Sequence, residues 1–186
     1  TVQTQIPENL NVAILAAGGG IGVEFTDNFT KAGLNVVELS QETQEQLAKH
    51  FPPVNTNFKN PIDLGEYGYV PSLFAKAMKI VLKDPKIGSV VFVREPERFP
   101  ILSANLGIKD PAGLTVKSLR RVLKRTDKPV FCNPSANSLS TEAYEMRYDF
   151  QKIMLNAGIP VINYFKNIPE IIKQLYMLGK YRRNAE

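Results

Sequence analysis

Five short apolar runs rich in β-branched residues, separated by stretches of helical periodicity, constrain this chain more than any other feature. They lie at Val12–Ala16, Asn35–Leu39, Ser89–Val93, Pro129–Cys132 and Pro160–Tyr164. In the first intervening stretch Ile21, Phe25, Phe29 and Ala32 share one helical face, and Gly33 stops it. Ser40 is placed to cap a short helix, "QETQEQLAKH", closed by Pro52 and Pro53. Further helices are expected over "VPSLFAKAMKIVLKD", "TVKSLRRVLKRT" and "TEAYEMRYDFQKIMLNAG". Asn167 with Glu170 reads as a capping box before "IIKQLYMLGKY". Strand alternating with helix implies an α/β doubly wound fold with a mostly parallel, five-stranded sheet. The strands carry few polar positions, as expected when helices cover both faces. No composition break divides residues 1–186, so one domain is expected. The stretch "REPERFPILSANLGIKDPAGL" reads as a long loop with at most a helical turn.

Composition excludes several functional classes. The 186 residues are 44% hydrophobic and 22% charged, ordinary for a globular domain. No apolar run approaches the roughly 18 residues that a membrane span requires. The start lacks a secretory pattern, and its Thr1 suggests a preceding segment. Cys132 is the single cysteine, so an internal disulfide is excluded and a cytoplasmic setting is expected. The net charge of +5 comes partly from "VKSLRRVLKR" and "GKYRRN". In the first, Val116, Leu119, Val122 and Leu123 repeat at helical spacing, which leaves the basic residues on a solvated face. No nucleic-acid motif accompanies them, and no His, Cys and carboxylate spacing suits a metal.

In such sheets ligands bind outside the carboxyl ends of the strands. After the first strand stands "AAGGGIGVEF", a turn from strand to helix through consecutive glycines. The open N–H groups of a first helical turn, here near Ile21, Gly22 and Val23, favour phosphate or carboxylate. Val23 stands where a dinucleotide fingerprint needs its third glycine, and no Gly-Lys-Ser/Thr of a P-loop follows. On these residues alone the turn is either an anion site or a tight connection without a ligand.

The order "GGIGVEFTDNFTKAGLNVVELSQETQEQL", "FPP", "NPIDL" and, near the end, "NAGIPVINYFKNIPEIIKQLYMLGKYRR" resembles the NDP-forming acyl-CoA synthetases. These belong to the succinyl-CoA synthetase superfamily. The matching residues are Gly19, Gly20, Gly22, Val23 and Asp27, then Ala32–Leu34, Leu39, Ser40 and Thr43, then Asn60, Pro61, Asp63 and Leu64. The resemblance implies a flavodoxin-like (succinyl-CoA synthetase-like) ligase domain of an enzyme that interconverts acyl-CoA, NDP and phosphate with acid, CoA and NTP. It implies a phosphohistidine on another domain, cradled by two helix N-termini. This chain would supply one of them, through the backbone N–H groups of Gly19, Gly20, Ile21, Gly22 and Val23, with Asn60 and Asp63 in a supporting turn. No catalytic residue is then expected here, and no metal or covalently bound cofactor. CoA, ATP or ADP, and Mg would sit on CoA-binding, phosphohistidine and ATP-grasp partner domains or subunits. The family's Ser-His-Thr-Gly loop does not occur in this chain, so the chain alone is expected to lack ligase activity, and the full enzyme to be an oligomer.

The remaining chemistry-bearing residues have plainer readings. His50 ends a polar helix, and Cys132 lies in an apolar strand where packing outweighs nucleophilicity. Ser135 and Ser138 lack a nucleophile elbow. Arg94, Glu95, Glu97 and Arg98 at a strand end are either rim residues of the site or, the favoured reading, a solvated charge cluster. Asp27 is a solvent residue or salt-bridge partner. Asp63 is first a turn residue beside proline, with orienting the phosphate-binding loop or assisting a proton transfer as the alternatives. Two rival functions remain, a non-catalytic binding or regulatory module on this fold and a flavodoxin-like nucleotide or flavin binder.

Overall fold

A computed structural model describes residues 5–16, 18–135 and 138–185. Four parallel strands form the sheet: β1 (Val12–Ala16), β2 (Ile62–Asp63), β3 (Ser89–Arg94) and β4 (Val130–Pro134), in the order β2-β1-β3-β4. The helices are α1 (Gly19–Lys31), α2 (Gln41–Ala48), α3 (Pro71–Val81), α4 (Phe99–Leu106), α5 (Pro111–Leu123), α6 (Thr141–Asn156) and α7 (Ile168–Ala185). The doubly wound α/β architecture therefore holds. None of these helices is long and apolar enough to cross a membrane.

The strands are buried on both sides, so their residues sort by parity. Val12 and Ile14 of β1 join Val91 and Val93 of β3 beneath Phe25 and Phe29 of α1 and Ile168 and Ile172 of α7. Ala13, Leu15, Val90 and Phe92 point the other way, toward α2, α3, α5 and α6 through Leu47, Met78, Leu119 and Phe150. Two helices close on glycine as expected. Gly33 (φ +89°) and Gly158 (φ +78°) follow α1 and α6, with Leu34 N–H donating to Phe29 O and Ile159 N–H to Met154 O, each at 3.0 Å. Ser40 caps α2, accepting the Thr43 N–H at 3.3 Å. Glu170 spends its carboxylate on Lys173 at 2.9 Å and Gln174 at 3.2 Å.

The sheet departs from five strands in two places. Residues 160–164 meet β4 through a single bridge, Cys132 with Val161. Residues 35–39 form a single bridge, Asn35 with Asn11 just before β1, where the Val12 N–H donates to Asn35 O at 2.9 Å. Beyond that point the side-chain amide of Asn60 enters between them. Its Nδ2 donates to Val12 O at 2.9 Å and Val37 O at 2.8 Å, and its Oδ1 accepts the Ile14 N–H at 3.0 Å. One amide thus replaces the peptide ladder, and the chain of residues 36–39 is held off β1. The vacated place beside the carboxyl end of β1 is taken by β2, which pairs Ile62 with Leu15 and Asp63 with Ala16. The edge position beside β1 is a composite of residue 35 and residues 62–63. The Asn60–Pro61 peptide bond is cis.

The stretch 94–114 is also more regular than a loop. It holds a 3₁₀ turn (Pro96–Arg98), then α4, which stops at Gly107 (φ +66°), then the start of α5, capped by Asp110. Proline sits in the first turn of both helices, where its missing N–H costs nothing.

Replacing Asn60 by Asp keeps the acceptor but loses both donated bonds and sets a carboxylate against two carbonyl oxygens. The expected loss is about 2–4 kcal/mol. Urea unfolding checks this through a lower midpoint at an unchanged slope.

Candidate functional site

The turn after β1 delivers the chain into α1 at the β1/β3 boundary, where connections leave the sheet in opposite directions. Gly18 precedes the helix in extended backbone (φ 171°, ψ 126°), with no side-chain cap. Because α1 begins at Gly19, the first intrahelical bond runs from Gly22 N–H to Gly18 O at 3.4 Å. The N–H groups of Gly18, Gly19, Gly20 and Ile21 therefore lack a helical partner and carry the positive end of the dipole. The Gly22 N–H is engaged within the helix, and Val23 lies one residue further in, so the open donors sit earlier than sequence reading placed them. The first turn holds no acidic residue, and Gly19 and Gly20 face solvent. Ile21 turns inward onto the α1/α7 core, whereas Val23 is 60% exposed.

The glycines differ in what they do. A Cβ at Gly18 or Gly20 would meet nothing within 4 Å, so these two leave open space before the donors. A Cβ at Gly22 would stand 3.0 Å from both Cβ and Cγ of Pro61. Gly22 is thus where α1 packs against the Asn60–Pro61 segment. A Cβ at Gly19 would lie 3.5 Å from Asp63 Oδ2, which places the Asp63 carboxylate beside the first turn. Its other oxygen accepts the Gly65 N–H at 2.8 Å. Asn60 and Asp63 therefore converge on the start of α1, one through the sheet and the other at the rim.

The carboxyl end of β3 corrects an expectation. Arg94 and Glu95 are not solvated: they are 2% and 3% exposed. Arg94 lies 3.4 Å above the Phe74 ring and donates from Nη1 to Gly68 O at 2.6 Å. Burial lowers its pKa to about 10, against the pull of neighbours that include Tyr69 and Glu95. Glu95 accepts from the Tyr69 hydroxyl and pairs with Arg98 Nε at 3.0 Å. Burial, and then Glu95, push the Tyr69 hydroxyl well above its usual range. Glu97 pairs with Arg147 of α6 at 3.2 Å. Sequence reading missed this burial because charged residues after a strand are usually solvated.

Other residues fall elsewhere. At the carboxyl end of β4, Asn133 directs its amide to Ile162 O and Asn163 O, tying β4 to residues 160–164, while residues 136 and 137 lie outside the described residues. Cys132 is fully buried, and burial pushes its thiol pKa up, consistent with packing. His50 is exposed behind α2, and Asp27 is exposed on α1. Among the described residues no group of three or more His, Cys, Asp or Glu could hold a metal ion.

Residues 12–174 match the Ligase-CoA domain family. Over 146 residues the chain is 27% identical to the alpha subunit of acetate–CoA ligase (ADP-forming) II of Pyrococcus furiosus, covering 76% of this chain and 29% of that protein. Acetate–CoA ligase (ADP-forming) I of Archaeoglobus fulgidus is 25% identical over 174 residues, 93% of this chain and 21% of that protein. The chain thus spans under a third of the length of either relative. A Pyrococcus horikoshii crystal structure superposes with TM-score 0.77 at 22% identity, covering 95% of this chain and 38% of the other. A dinucleotide-forming acetyl-coenzyme A synthetase of Candidatus Korarchaeum cryptofilum, in complex with phosphate and ADP, gives 0.67 at 20%, covering 96% and 35%. Both structural likenesses concern the fold.

Gly20→Ala is expected to leave stability unchanged or raise it by up to about 1 kcal/mol, because the added methyl meets open space and alanine favours helix. Gly22→Val is expected to cost about 1–3 kcal/mol by forcing α1 away from Pro61. Thermal unfolding of the two variants checks the contrast. With its apolar parity, its glycine turn into α1 and its Asn60–Asp63 segment all within the matched region, this chain belongs to the Ligase-CoA domain family.

Proposed function

We propose that this chain is the ligase domain of an NDP-forming acyl-CoA synthetase, and that the start of α1 forms half of a cradle for a transferred phosphoryl group. The observation that carries this reading is the row of open N–H groups at Gly18–Ile21, set at the β1/β3 boundary of a Ligase-CoA fold. Phosphoryl transfer spreads negative charge over three oxygens and needs fixed donors more than reactive side chains. Backbone N–H groups at a helix start supply such donors without reorganisation. The names of the relatives, ADP-forming acetate–CoA ligases, support the reaction class, acid and CoA joined at the expense of NTP.

In this reading the phosphate is carried to α1 by a histidine of another domain. His50 is exposed behind α2, at the opposite end of that helix from its Ser40 cap, and plays no part. CoA, the nucleotide and Mg belong to CoA-binding and ATP-grasp partners, fused or separate, in a cytoplasmic oligomer. The exposed Gly19, Gly20 and Val23 leave the mouth of α1 open to such a partner. Asp63 is a rim residue rather than a reacting group.

Two measurements on the purified chain test the reading. Titration with inorganic phosphate should shift the amide resonances of Gly19, Gly20 and Ile21 saturably, while chloride at equal ionic strength should not. ATP-dependent acyl-CoA formation should be absent until the partner domains are supplied. Turnover by the chain alone would refute the assignment to a single domain. Silence of the α1 amides toward phosphate would favour a module that kept the fold without the chemistry.

A further inference from the structure

The Asp63 carboxylate stands beside four N–H groups at a helix start that have no partner among the described residues, yet it caps none of them. Its Oδ2 approaches the Cβ position of Gly19 to 3.5 Å, its hydrogen bond goes to Gly65 N–H, and α1 has no side-chain cap. An acidic side chain within reach of a helix N-terminus ordinarily caps it. We propose that Arg94 and Glu95 are positioning residues that clamp the turn after β2 to the end of β3, holding Asp63 off the first turn of α1 and leaving its N–H groups free for phosphate. The proposal deepens the function above and rests on that reading of α1.

The clamp is built from two successive residues of one strand gripping two successive residues of one turn. Arg94 Nη1 holds the Gly68 carbonyl, and Glu95 holds the Tyr69 hydroxyl. At the other end of the turn Leu64 N–H donates to Ala16 O at 3.3 Å, and Asp63 N–H and O exchange 2.8 Å bonds with Asn57. The segment from Asp63 to Tyr69 is therefore tied to β1 where it begins and to β3 where it ends. Gly65 adds stiffness: its φ is +52°, and a Cβ there would meet Asn55 O at 2.6 Å. With the turn fixed, Gly65 N–H stays where it draws the Asp63 carboxylate away from α1.

Stability alone gives little reason for Arg94. Its guanidinium is buried on Phe74, and its Nε and Nη2 have no hydrogen-bond partner among the described residues. Burying a guanidinium is costly, and an apolar side chain would avoid that cost, but replacing Arg94 alone would orphan the Gly68 carbonyl and remove a cation near the buried Glu95. What an apolar side chain could not do is hold the Gly68 carbonyl. The buried charge is kept for geometry.

The test uses Arg94→Met, Tyr69→Phe, and Arg94→Met combined with Asp63→Ala, each in the full chain. Arg94→Met should lower the unfolding midpoint, since it orphans the Gly68 carbonyl, and where folded should bind inorganic phosphate at α1 about five- to tenfold more weakly, as Asp63 swings in to cap the helix. Removing Asp63 in the double variant should restore the affinity, which a merely structural lesion would not allow. Tyr69→Phe should weaken binding in the same direction and serves if Arg94→Met does not fold. Unchanged affinity in the folded single variants, or a loss not restored by Asp63→Ala, overturns the clamp. Should the wild-type chain bind no phosphate, the function above fails, and the clamp is judged by hydrogen exchange. Amides of Gly19–Ile21 should then exchange more slowly in Arg94→Met and recover in the double variant. Exchange indifferent to Arg94→Met overturns the clamp by itself.

Discussion

The amide of Asn60 is the contact on which the site depends. It gives β1 one donor and one acceptor and gives its second donor to Val37 O, and so it stands between β1 and residues 36–39 beyond their one bridge at Asn35. Everything at the rim follows from that interruption. Ile62 and Asp63 fill the vacated place, Pro61 seats Gly22 of α1, and the Asp63 carboxylate reaches the helix start. A single side chain can do this because buried peptide groups must find partners, and an amide is the side chain that most nearly copies a peptide. Residues 60–63 thereby build the sheet and present a charge in four consecutive positions.

The rim also shows how a parallel sheet concentrates polar groups at one end. The strands are apolar along their length because helices cover both faces, and polarity appears where they leave the sheet. At β3 that change happens inside the protein. Arg94 and Glu95 are buried, and their charges are absorbed by the Phe74 ring, the Tyr69 hydroxyl, Arg98 and a backbone carbonyl. In low dielectric such contacts are strong and directional, so they fix geometry more firmly than they add stability.

The parts of the fold legible in the sequence were those written in local chemistry. β1, β3 and β4 follow from β-branched runs too apolar to face water. The ends of α1 and α6 follow from Gly33 and Gly158, and the start of α2 from Ser40. The glycine turn marked the start of α1, although the N–H groups without a helical partner begin at Gly18 rather than near Ile21. Two misreadings share one cause. Residues 35–39 and 160–164 have the composition of strands, but composition does not say whether a neighbouring strand will lie alongside. The stretch 94–114 hid a helix because its prolines look like breakers, although in first turns they are tolerated.

What the sequence determined by itself was the class of architecture and the place of the glycine turn into α1. Apolar period, glycine caps and the strand-to-helix glycine turn are properties of neighbouring residues, and neighbouring residues decide them. What only the tertiary structure decided was which groups share that place. Asn60 comes to β1 across 46 positions, and Arg94 to Gly68 across 26. A polar side chain in the sequence carries no mark of the partner that will satisfy it, because that partner is chosen by packing once the sheet and its helices have closed. The glycine turn was therefore visible from the start as a strand-to-helix turn with room before its N–H groups, whereas the contacts around it belong to the folded chain.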